Sequence, residues 1–167
     1  KTMAASATTK ATFSSNLNAA EPMIKSITIT TEDGKTTTID TNGETFKVGE
    51  PYTPAGGTAS NIASLTLNMT DGTNTTETEG SFTVGYSKPK TTIATVYDSL
   101  GNSHNVVIYM TKTGADNNGS KWQMSLADVD KNNGTSTATL KDSNGKDIKL
   151  KMPKTEVKFN VNGGYDT

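Results

Sequence analysis

Asp98, Ser99 and His104 fall within seven residues of one another, and a carboxylate, a hydroxyl and an imidazole are the three groups of a nucleophilic hydrolase. That chemistry needs the imidazole between the other two, taking the hydroxyl proton while the carboxylate orients it, with an oxyanion hole nearby. Here all three sit in Thr91–Met110, TTIATVYDSLGNSHNVVIYM, where Asp-Ser-Leu-Gly-Asn separates two β-branched runs. In such a turn, Asp and Ser side chains bond adjacent backbone groups. Turn capping is the preferred reading, and no catalytic residue is assigned.

Other combinations are weaker. Asp128, Asp130, Asn132, Asn133 and Gly134 begin like a calcium loop, which needs alternating oxygen ligands and a sharp glycine turn. The glycine comes one position late, and Thr139 stands where a bidentate Glu belongs. A solvated turn is the default there, with a weak cation site at Asp128 and Asp130 left open. One histidine and no cysteine leave too few ligands for zinc. No glycine-rich loop opens a helix, so there is no phosphate cradle. Trp122 could stack on a sugar, but its alternation with Met124 and Leu126 favours a core position. Sequons begin at Asn68, Asn74, Asn118 and Asn133, and they matter only in a glycosylating pathway. No metal, cofactor or cofactor-binding residue is expected.

The elements that must carry these residues are strands. Of the 167 residues, 31% are apolar and 20% charged, so neither class dominates. Threonine does, at nearly a fifth of the chain. Being β-branched, it favours extended backbone while keeping a face solvated. A net charge of −1 without any Lys/Arg cluster argues against binding nucleic acid or anionic lipid. No apolar run approaches the roughly 20 residues a membrane helix needs. Without cysteines, stability must come from sheet hydrogen bonds and a modest core. The chain opens at Lys1 with no signal-peptide core, which reads as a piece of a longer protein.

Along the chain, residues 1–22 read as an extended arm, with Phe13, Ser15 and Leu17 alternating as a short strand before Pro22. From Ile24, the period of two puts Ile24, Ser26, Thr28 and Thr30 on one face, with Ile27 and Ile29 on the other. Asp33-Gly34 predicts a type I′ hairpin turn. Gly49–Asn61 reads as a loop and Ile62–Met69 as a strand, with Ile62 and Ser64 opposite Leu65 and Leu67. Asp71–Gly80 is polar and turn-rich. Thr92–Tyr97 pairs with Asn105–Thr111, and apolar groups on both faces predict that one strand is central. Further strands are expected around Trp122, at Thr137–Lys141 and Asp147–Met152, and at Thr155–Val161 before Asn162-Gly163. About ten short strands with turn signals between them predict an all-β, antiparallel barrel or sandwich, with an inserted β-subdomain possible.

Several segments carry a family likeness: Thr2-Met3-Ala4-Ala5, TTKATFSSNLN at 8–18, the hairpin VYDSLGNSHNVVIYMTKT, Lys121-Trp122, and Val157-Lys158-Phe159-Asn160 with Asn162-Gly163. Their order and spacing resemble the outer β-domain of the bacterial flagellar hook protein. On that resemblance, residues 1–22 are a connecting arm and first strand, 23–90 an insertion or subdomain, and 91–167 the rest of the outer domain, truncated at its end. The 23–90 block is longer than the family pattern implies, and the heptad-patterned terminal segments of axial proteins are missing. The resemblance implies a structural, non-enzymatic protein, exported by the flagellar type III apparatus and located in the extracellular hook. It implies neighbouring hook subunits as partners, no nucleic acid and no membrane, and a monomeric isolated fragment. The alternative is a binding module of a bacterial surface adhesin.

Overall fold

The structure, a computed structural model, describes residues 20–98, 100–130 and 133–160. The expected strand around Phe13–Leu17, Ser99, Asn132, Val161 and Asn162-Gly163 lie outside the described residues. Among those described, the backbone is all strand and turn: 14 strands, every pairing antiparallel, and no helix. The all-β expectation holds. The higher strand number comes from short pieces such as Thr45–Lys47, Pro51–Tyr52, Ser81–Thr83 and Asp128–Val129, two or three residues each, too brief to show a period.

Two compact units divide the chain. One comprises Ala20–Lys88 with Lys112–Ala115; the other, among the described residues, Pro89–Thr111 and the chain from Asp116 to Asn160.

The first unit holds β1 (Ile24–Thr31), β2 (Thr36–Ile39), β3 (Thr45–Lys47), β4 (Pro51–Tyr52), β5 (Ser60–Met69), β6 (Asn74–Glu77) and β7 (Ser81–Thr83). Its main sheet runs β2-β1-β5-β4, with β6 also on β5, while β3 pairs β7. The expected loop at 49–61 contains β4, whose Pro51 is tolerated because β4 is an edge strand. The turn-rich stretch at 71–80 contains β6, a polar strand paired to β5 on one side.

Two β-bulges decide which side chains this sheet buries. Ile24 faces Met69 but Ser26 faces Asn68, so Lys25 is an extra residue on β1. Thr30 faces Ser64 and Thr31 faces Ile62, so Ala63 is an extra residue on β5. An inserted residue flips the alternation beyond it. Ile24 therefore joins Ile27 and Ile29, and Ile62 joins Leu65 and Leu67, on one buried face. Strict alternation had placed Ile24 and Ile62 on the opposite faces, and the bulges correct it. Met69 and Val84 complete the core, with Phe46, Tyr52 and Phe82 packed around it. The other face is hydroxyl-rich. Thr38, Thr28, Thr66 and Thr76 stand abreast across β2, β1, β5 and β6. Thr28 and Thr38 hydroxyls lie 2.9 Å apart, and those of Thr66 and Thr76 3.1 Å.

The second unit holds β8 (Lys90–Tyr97), most of β9 (Ser103–Asp116), β10 (Gly119–Ser125), β11 (Asp128–Val129), β12 (Ser136–Lys141), β13 (Asp147–Met152) and β14 (Thr155–Asn160). One sheet is ordered β14-β10-β9-β8, the other β11-β12-β13. Val106, Ile108, Met110, Trp122, Met124, Leu126 and Val157 form the core, and Ala138, Leu140, Leu150 and Met152 pack on it from the three-stranded sheet. Fully burying such side chains stabilises by about 1.5–3 kcal/mol each. The central-strand expectation is met by β9, which lies inside its sheet, yet only one of its faces is covered. On the other, Ile93 and Val107 are paired across β8 and β9 and remain 69% and 44% exposed.

Four of the hairpins share one turn. At 31–35, 69–73, 98–102 and 142–146, the first residue's carbonyl accepts from the fourth amide, while its own amide donates to the fifth carbonyl. Gly34, Gly72, Gly101 and Gly145 occupy the fourth position with φ of 84°, 86°, 85° and 77°. No described non-glycine residue has positive φ. The turn at Asp33-Gly34 is therefore a three-residue loop ending in a left-handed glycine, not the type I′ expected, because Asp33 stays in the ordinary region.

Candidate functional site

The hairpin tip brings Asp98 and His104 together. Tyr97 pairs with Ser103 at the end of the ladder, so His104 on β9 rises beside the first residue of the turn. His104 Nε2 lies 3.0 Å from Asp98 Oδ2, with the side chains only 14% and 10% exposed. The other carboxylate oxygen, Oδ1, accepts from the amides of Leu100 and Asn102, both at 2.9 Å. The His104 bond chiefly holds the Asp98 carboxyl below its ordinary value of 3.8; partial burial opposes it, and the Asn102 and Leu100 amides add to the lowering. Asp98 is thus occupied on both oxygens, as the turn-capping reading requires. Ser99 lies outside the described residues.

The turn at 142–146 is the same device without the imidazole. Asp142 Oδ1 accepts from Asn144 at 2.9 Å and Lys146 at 2.8 Å, matching Asp98 bond for bond. A carboxylate in this position is explained by the turn alone. The His104 partnership was not foreseen from sequence, and its only signal was an imidazole six residues after the turn's aspartate.

The described residues of the calcium-like stretch do not gather ligands. Asp128, Asp130 and Asn133 are exposed. Asn133 Oδ1 accepts from the Thr135 amide at 3.0 Å and from its hydroxyl at 2.6 Å. Among the described residues, no group of three or more His, Cys, Asp or Glu could hold a metal ion. Trp122 is fully buried, and its indole N–H donates to Ser120 Oγ at 3.0 Å, so it presents no surface for stacking. Of the sequon asparagines, Asn74, Asn118 and Asn133 are exposed, whereas Asn68 donates to Ser26 and Thr28 hydroxyls on the first unit's sheet. An open cleft is lined by Gly34–Thr37 and Pro54–Gly57, which bring glycine, proline, alanine and threonine with one lysine.

One buried charge went unnoticed in the sequence. Lys112 is 4% exposed, and burial pushes its pKa below 10.5 against a smaller opposing effect of Glu21. Its ammonium donates to the Glu21 carbonyl at 3.4 Å, and its amide donates to Ser87 Oγ at 2.8 Å. These bonds tie 112–115 into the first unit, a structural use. Among the described residues, no helix is long and apolar enough to cross a membrane.

Antiparallel sheets, threonine pairs across strands and aspartate-capped turns define an all-β domain. Residues 86–167, just under half of the chain, match the family described as the flagellar basal body protein FlaE D2 domain. That segment is the outer D2 domain of a flagellar hook protein, so the chain carries a component of the bacterial flagellum. The match takes in the hairpin, Lys121-Trp122 and Val157–Asn160; the likeness noted at residues 2–18 lies outside it. No curated protein and no solved structure matches the chain.

Proposed function

We propose that this chain is an outer-surface part of a non-enzymatic hook subunit, making weak contacts with neighbouring subunits in the flexible tube that joins motor to filament. The family match over residues 86–167 carries this reading. Residues 23–90 are an added β-subdomain, an assignment supported by the separate core of Ile24, Ile27, Leu65 and Leu67. The parent protein leaves the cell through the flagellar export apparatus and polymerises outside it.

A rotating, bent tube must make and break surface contacts on each turn. Large, dry, apolar interfaces dissociate too slowly for that. A threonine-rich composition and a near-neutral net charge suit small, wet contacts instead. Immunogold labelling of source cells with antibodies against the chain tests the reading. Gold confined to the short curved segment between cell and filament is expected. Gold spread over the cell body would favour the adhesin and overturn the hook assignment.

A further inference from the structure

The described large apolar side chains left most exposed are Ile93, Tyr97, Leu100, Val107 and Val129, and all belong to the second unit. Four of them gather on one hairpin. Ile93 lies directly opposite Val107, Tyr97 is two steps of the period along the same face of β8, and Leu100, 74% exposed, stands at the turn. Along the paired stretch, the other residues on that face are Thr91, Thr95, Ser103, Asn105 and Tyr109, with no charge among them, in a chain where 20% of residues are charged; Asp116, at the far end of β9, is exposed beyond that stretch.

We infer that this uncharged face of the β8–β9 hairpin, centred on Ile93 and Val107, is where the domain meets a second copy of itself. The inference rests on the hook reading and gives its contacts a surface. Two such faces can approach without like-charge repulsion and without stripping water from an ion. A strip of four side chains falls well short of the roughly 800 Å² per partner that a stable dimer buries. It therefore suits a contact that is weak alone and repeated along a polymer, not a single tight partner. Burying Ile93 and Val107 against their counterparts supplies the attraction, and the surrounding hydroxyls remain wet.

The chain has no cysteine, so one introduced thiol is unique. Ile93→Cys is oxidised in the full 167-residue chain beside Thr38→Cys, an exposed position on the first unit's sheet. The expected result is several-fold faster disulfide-linked dimerisation at position 93, reduced to the control rate by adding Val107→Lys. Equal rates at the two positions would overturn this surface while leaving the hook assignment intact, since that is tested by labelling. The unmodified chain gives a second readout. Concentration-dependent methyl shifts should centre on Ile93 and Val107, and shifts centred on the first unit would equally overturn the inference.

Discussion

Asp98 shows how a side chain suited to catalysis can be consumed by architecture. A three-residue loop leaves amides at Leu100 and Asn102 pointing inward, and one carboxylate oxygen satisfies both. His104 then occupies the second oxygen. Asp33 and Asp71 are held low in the same way, each chiefly by a threonine hydroxyl, Thr31 and Thr73. A carboxylate with a lowered native pKa stabilises the fold fully above its unfolded value near 3.8, and that stability is lost as pH falls through the native value. Asp98→Asn should therefore lower the denaturation midpoint at pH 6, with the deficit shrinking once the pH drops below 3.8. A pH-independent deficit in urea titrations would rule out the Asp98 carboxylate's charge as its source. Gly119 is a different constraint. Its φ is 145°, and an added Cβ would sit 1.8 Å from the Phe159 carbonyl oxygen, inside the β10–β14 ladder. Gly119→Ala should cost more than about 2 kcal/mol, read from urea unfolding.

Strands and their registers carry the next layer of explanation. The β8–β9 hairpin, the Trp122 strand and the β12–β13 hairpin were legible because each alternates without interruption between strong turn signals. Ile24 and Ile62 were misplaced because a bulge leaves no mark in residue type: Lys25 and Ala63 look like ordinary strand residues. Short edge strands were also hidden. Nothing in Asn-Thr-Thr-Glu distinguishes β6 from a polar loop until β5 lies beside it. The turn at Asp33-Gly34 was located correctly but assigned the wrong type, since the glycine signal is common to both loop classes. At the hairpin tip, Asp98 was legible as a cap, whereas its pairing with His104 depends on the ladder's register. The bulge reading makes its own prediction. Deleting Lys25 should leave Ile24 two residues before Ile27, so simple alternation keeps it on the buried face and thermal unfolding should shift little. A loss of about 1.5–3 kcal/mol, the value of one buried side chain, would mean that Lys25 is not the extra residue.

Taken whole, the molecule commits its chemistry to holding shape. Each unit closes one apolar core, without disulfide bonds, and leaves hydroxyls along its strands. Threonine makes this workable: its branched carbon favours the extended backbone and its hydroxyl keeps the outer face solvated. Such a domain can be exposed to water and to copies of itself without forming long-lived aggregates, a need of any surface layer that slides. Residues 86–167 match the flagellar D2 domain family, and the function proposed above places such a layer on the hook. Its most direct test is mass spectrometry of the subunit band from purified hooks of the source cells. Peptides spanning both 20–88 and 89–160 in that band are expected. A hook band lacking them, with the same peptides recovered from another surface fraction, would contradict the account.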